Sequence, residues 1–94
     1  MRLNNENDHS MFKSVLREAE KLRKRKFADY GRSYASFGEL GVVVRMSDKM
    51  ARISNIYKNK RQAIKIESIR DTAIDLANYS IMLVMLLDEK TKER

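Results

Sequence analysis

The stretch from Thr72 to Leu87 is apolar nearly all the way round a helix, and it constrains the chain more than any other segment. At about 100° per residue, Ile69, Ala73, Leu76, Leu83 and Leu87 fall on one side, and Ile74, Ile81, Met82 and Met85 on the other. A helix of that kind must be covered on both sides. It is too polar for a bilayer, because its longest unbroken apolar run, Ile81 to Leu87, is seven residues against the roughly 20 that span one. In a chain of 94 residues two further helices can hardly surround it. The expectation is therefore a homodimer, homotetramer or larger helical assembly with this helix, about 66–89, in its core.

The other two helices follow from periodicity. The absence of proline and the presence of only three glycines argue against sheets and long loops, so the fold class is all-α: a single small helical domain completed by oligomerisation. Ser10 suits an N-cap, and Phe12, Val15, Leu16, Ala19, Leu22, Phe27 and Tyr30 form a stripe that predicts helix one over about 11–27. Arg23-Lys-Arg-Lys26 would then lie in its last turns, where cations complement the helix dipole. Asp29 to Ser36 reads as a loop around Gly31. Ser36 and Glu39 match a capping box opening helix two, whose face of Val42, Val43, Met46, Met50, Ile53 and Tyr57 carries it to about 57. Lys58 to Gln62 reads as a basic connector. The polar residues 1–9 are expected as a disordered leader, 10–89 as the folded domain, and 90–94 as a frayed tail. Residues 1–9 hold no apolar core of a signal peptide, which points to a cytoplasmic protein, as does the absence of cysteine.

Chemistry concentrates on the third helix. Glu67, Asp71, Asp75 and Asn78 lie within about 80° of arc, and Met82 and Met85 continue the same stripe, so carboxylates run directly into core. A buried carboxylate needs a counter-charge. One source is Mg²⁺ or another divalent ion bound by Glu67, Asp71 and Asp75, with Asp48 as a further ligand. The other is a lysine or arginine from a neighbouring helix, with Glu67 and Asp71 decorating the helix start and Asp75 paired to Arg52 or Lys49.

The net charge of +7 sharpens the choice of partner. Residues 10–35 carry eight basic and three acidic side chains, residues 36–65 seven and two, and residues 66–94 four and six. Two basic helices around an acidic stripe suit a nucleotide: acids for a metal, Arg45, Lys49 and Arg52 for phosphate. Tyr30 and Tyr34, flanking Gly31 and Arg32, can stack on a base, although Tyr30 can equally cap the core. Glu39 can serve as cap or ligand, and Asp48 as ligand or solvated ion pair. Arg23-Lys-Arg-Lys26 reads either as a solvated helix end or as a nucleic-acid contact, the second without a zinc finger, basic zipper or aromatic RNA-binding motif beside it. Phosphate-binding glycine loops, the Gly-x-Ser-x-Gly elbow and His-Glu-x-x-His are all absent from the sequence.

Three strings together resemble a known family: Tyr30-Gly-Arg-Ser33, the segment Gly41 to Ile53, and Glu67-Ser-Ile-Arg-Asp71-Thr-Ala-Ile-Asp75-Leu-Ala-Asn78-Tyr79. They resemble the nucleotide-modification-associated domain family, which is frequent in phages and related to the MazG-like all-α nucleotide pyrophosphohydrolases. The likeness covers about residues 12–87. It implies an antiparallel helical bundle of MazG-like type assembling as a dimer or tetramer, with a nucleotide and Mg²⁺ between helices in the host cytoplasm. It also implies cleavage of a nucleoside triphosphate to monophosphate and pyrophosphate, with Glu67, Asp71 and Asp75 matching one acidic segment of the family. On helix two the matching acids are largely absent, Asp48 standing among Arg45, Lys49 and Arg52. A binding or sequestering protein without turnover, for ordinary or cyclic nucleotides, is thus the competing reading, and a nucleic-acid-binding module a third.

Overall fold

The computed structural model describes residues 5–58 and 62–92; residues 1–4, 59–61 and 93–94, which hold parts of the expected leader, connector and tail, lie outside the described residues. The described chain is all-α: α1 (Asn5–Tyr30), a 3₁₀ turn (Ser33–Ala35), α2 (Gly38–Lys58) and α3 (Gln62–Lys92). None of the described helices is long and apolar enough to cross a membrane.

Each helix outruns its sequence expectation at one end or both. α1 is helical from Asn5, inside the stretch expected as a leader, and continues to Tyr30. Glu6 and Asp8 occupy its first turn, where acids complement the positive helix end. It ends where Gly31 adopts φ 56° and its N–H bonds back to the Phe27 carbonyl at 2.7 Å, a left-handed C-cap that glycine adopts without steric cost. As a result Arg23 to Lys26 lie above the last turn, which holds no basic residue. The Ser36/Glu39 capping box does not form: α2 starts at Gly38, the Ser36 backbone N–H bonds Ser33 O at 3.1 Å, and Glu39 lies 3.5 Å from Lys90 Nζ. The tight turn through Ser33 to Ala35 uses up the residues that would have capped the helix.

α2 and α3 form an antiparallel hairpin: Glu39 near the start of α2 pairs with Lys90 near the end of α3, and Lys49 midway along α2 pairs with Asp75 midway along α3. The face α2 turns inward is Val42, Met46, Lys49, Ile53 and Ile56; Val43, Met50 and Tyr57 of the expected face are exposed. Two overlapping apolar stripes exist on this helix, and the one spaced four, three, four, three wins. α1 lies across α3 over a short stretch. At the crossing, Asn78 Nδ2 donates to the Ala19 carbonyl at 3.0 Å, so a buried amide ties the two helices. On one flank Arg70 donates both Nη1 and Nη2 to Glu18 at 2.6 Å, and Arg32 reaches Glu89 at 3.0 Å farther along.

The core is small. Ala19, Val42, Ile74 and Met82 are the buried apolar residues among those described, joined by Thr72 and Asn78. Thr72 satisfies its hydroxyl by donating to the Ser68 carbonyl at 2.7 Å. α3 is covered over most of its circumference but not all round: Thr72, Ile74, Asn78 and Met82 are buried and Leu76, Tyr79, Leu83 and Leu86 half-buried, whereas Ile81, Val84 and Leu87 are about half exposed.

Candidate functional site

Where α1, the 3₁₀ turn, α2 and α3 meet, they enclose a cleft of about 330 Å³. Its aromatic wall is Phe27, Tyr30 and Tyr34, which the extra turn of α1 and the Gly31 cap bring to one side. The opposing wall comes from α3, with Asp75, Asn78, Tyr79 and Met82, and Arg45 is contributed by α2. Arg23 and Lys26 stand between them.

The cations are held in different ways. The Arg23 guanidinium lies 5.0 Å from the Phe27 ring centre and 5.9 Å from that of Tyr34, while Arg32 sits 5.7 Å from the Tyr34 ring. Stacking of this kind orders a guanidinium while leaving its N–H groups available. Neither Arg23 nor Arg45 is paired with a carboxylate among the described residues. Arg32, by contrast, is committed: its hydrogen bond to Glu89 raises its already high pKa, with the nearby Tyr34 hydroxyl adding to the effect. Lys26 donates to Asp75 Oδ1 at 2.8 Å, and Lys49 Nζ lies 3.5 Å from Asp75 Oδ2. Asp75 therefore sits between two ammonium groups, one from α1 and one from α2, with its side chain only 19% exposed.

A second depression, of about 790 Å³, lies across the Lys26–Asp75 pair. It is wide and shared by Lys21, Lys24 and Arg25 of α1 and Asp71 of α3. Since Lys26 and Asp75 line both spaces, the ion pair forms the ridge between them.

Of the residues singled out from the sequence, Tyr30, Tyr34, Arg45, Asp75 and Asn78 come together around the smaller cleft, and Lys49 adjoins it through Asp75. Asp71 lines the wider depression; Glu67, Asp48 and Arg52 line neither and are exposed. Tyr30 is 68% exposed and caps no core. Asn78 carries a structural duty as well, through its bond to Ala19, which leaves Oδ1 as its remaining acceptor. Phe27, Tyr79 and Met82 are cleft residues that sequence reasoning did not name for the site, and Arg23 and Lys26 were read only as a helix end or a nucleic-acid contact. For Arg23 and Phe27 the signal was the i, i+4, i+7 spacing of Arg23, Phe27 and Tyr30, hidden by ending helix one at 27.

Among the described residues no group of three or more histidine, aspartate or glutamate side chains converges, and both Asp75 oxygens already face lysines.

A family model described as nucleotide modification associated domain 1 matches residues 26–87, a span that takes in the cleft residues from Lys26 to Met82. The chain belongs to that family. Within the family match fall the Gly31 turn, α2 and the Asp75–Asn78 segment, whereas Arg23 lies just ahead of it. No curated protein and no solved structure matches the chain.

Proposed function

We propose that the smaller cleft binds a nucleotide, its phosphate held by Arg23, Arg45 and Lys26 and its base lying against Tyr30 and Tyr34. The observation that carries this reading is the pair of guanidiniums, Arg23 and Arg45, facing an aromatic-walled cleft with no carboxylate partner among the described residues. A charge-assisted bond to phosphate is about twice as strong as a neutral one, and an ordered arginine loses little entropy in making it. Asn78 Oδ1 supplies an acceptor for a donor on base or sugar. The family description, with its reference to nucleotide modification, supports the same ligand class.

Binding without turnover is the reading favoured here, because Asp75 is occupied by Lys26 and Lys49. The second reading, a MazG-like pyrophosphohydrolase, draws on Asp71 and Asp75 lining the wide depression beside Lys21 and Arg25. It adds a requirement for Mg²⁺, and with it a role for Glu67 and Asp48, that binding alone does not need.

Titration calorimetry with a panel of nucleoside mono-, di- and triphosphates and cyclic nucleotides, run in EDTA, tests the first reading. Arg23→Ala and Arg45→Ala are each expected to raise Kd about tenfold, corresponding to about 1.4 kcal/mol. Asp75→Asn separates the two readings. It releases Lys26 and Lys49 from their carboxylate, so it should keep or tighten nucleotide binding. Pyrophosphate release with Mg²⁺ or Mn²⁺ that disappears in Asp71→Ala and Asp75→Asn would instead establish turnover.

A further inference from the structure

The smaller cleft grades from cations at its mouth to an open acceptor at its floor. The Lys26 side chain is 51% exposed and Arg45 is exposed, whereas Asn78 and Met82 are each only 8% exposed. Asn78 is thus a polar side chain more than nine-tenths buried, and a buried amide is costly to leave half-satisfied. Its Nδ2 is engaged by the Ala19 carbonyl at 3.0 Å. That bond also fixes which way the amide points, because a carbonyl oxygen only accepts: turning the amide over would set Oδ1 against the Ala19 oxygen, lone pair to lone pair. Oδ1 itself has no partner among the described residues, yet it is not sealed from solvent. Asn78 lines the cleft and not the wider depression, so the cleft is the space on which this acceptor opens. One turn away, Asp75 adds no donor, since its two oxygens face Lys26 and Lys49.

We propose that Asn78 selects the base: the cleft takes nucleotides whose base carries an exocyclic amino group, adenine or cytosine, over those with a carbonyl in the same place. This rests on the nucleotide reading of the cleft and names the part of the ligand that reaches its floor. An ionised phosphate offers acceptors to the cations at the mouth and is repelled by Oδ1. The flat, largely apolar base is the part that passes Tyr30 and Tyr34 and enters beside Phe27 and Met82. At the floor an amino N–H donates to Oδ1, whereas a carbonyl oxygen sets acceptor against acceptor and leaves Oδ1 unpaired. A site built to hydrogen-bond one group of its ligand rejects the analogue lacking that group far more strongly than a site that only fits its shape. The tie to Ala19 that holds α1 on α3 therefore also sets the preference, because it denies the amide the turn that would let it read a carbonyl instead.

Titration calorimetry of the full chain against AMP and IMP, and against CMP and UMP, tests the proposal, because each pair exchanges the amino group for a carbonyl. In the pair that binds more tightly, the amino member should bind roughly tenfold or more tighter than its counterpart. Asn78→Leu keeps the size of the side chain and removes the amide. It should bring the affinity for the amino member down to about that for its counterpart, whereas a merely structural loss would weaken both equally. The variant also gives up the bond to Ala19, so its helix content is checked by circular dichroism, and the wild-type ratio alone decides if it does not fold. Equal affinity within the tighter pair overturns the proposal while leaving the nucleotide reading in place, as does a preference that survives in folded Asn78→Leu. A tenfold loss from AMP to its 2′-deoxy form, with none from AMP to IMP, overturns it in favour of a sugar hydroxyl at Oδ1. Failure of all four nucleotides to bind overturns the nucleotide reading and the proposal together.

Discussion

Arg70 and Glu18 meet in the parallel, two-pronged geometry that only a guanidinium and a carboxylate make, both bonds at 2.6 Å. Those hydrogen bonds outweigh the opposing effect of desolvation and, with a lesser contribution from the charge of Arg70, hold the Glu18 carboxyl below its ordinary value of 4.5. A group whose pKa is lower folded than unfolded stabilises the fold above the unfolded value and loses that contribution as pH falls through the folded one. The urea midpoint of wild type should thus fall more steeply than that of Glu18→Gln as pH drops below about 4.5. The pair is solvent-exposed, so the difference between the two curves should be small. At the same scale lies most of what the sequence made legible of the cleft. Tyr30, Tyr34, Arg45, Asp75 and Asn78 could be named because aromatic, cationic and acidic types stood near a glycine turn and on an acidic stripe. The counter-charge of Asp75 had been left open between metal and lysine, and the geometry around it supplies Lys49 together with Lys26 from a third helix.

At the scale of elements, the end of α1 governs the site. The helix runs three residues past its expected end, which carries Tyr30 onto the cleft, and Gly31 then turns the chain so that Ser33 and Tyr34 follow on the same wall. Nothing lies within 4 Å of where a Cβ on Gly31 would sit, so the constraint is the backbone angle rather than space. Gly31→Ala should cost about 1 kcal/mol of stability by urea denaturation, and Gly31→Asn less, since asparagine tolerates the left-handed region better. Boundaries were less legible than element types. Polar residues 5–9 have no apolar period and, Glu6 apart, poor helix propensity, so only the first-turn acids of the segment speak for a helix there. The Ser36/Glu39 pattern satisfies a local capping rule, but the 3₁₀ turn and the reach of Lys90 to Glu39 are decided by how α3 packs against α2.

For the molecule as a whole, four buried apolar residues among those described make a thin core for three helices totalling this length. Stability that depends on a second copy rises with protein concentration by mass action. Were the assembly expected from the sequence to form, the melting temperature would increase as concentration is raised, and increase further with added salt, because two chains of net charge +7 repel and salt screens that repulsion. A melting temperature independent of concentration would locate the missing stability inside one chain. The amino-acid sequence by itself determined the helical class, the number of helices, the acidic stripe running into core and the excess of apolar surface, because these depend on residue type and a fixed period of 3.6. Tertiary structure decided which of two stripes on α2 faces inward, which cations neutralise Asp75, and that Arg23 and Lys26 border a cleft rather than complement a helix end. Those outcomes depend on where one helix crosses another, and no local period encodes the crossing of α1 over α3 at Ala19 and Asn78.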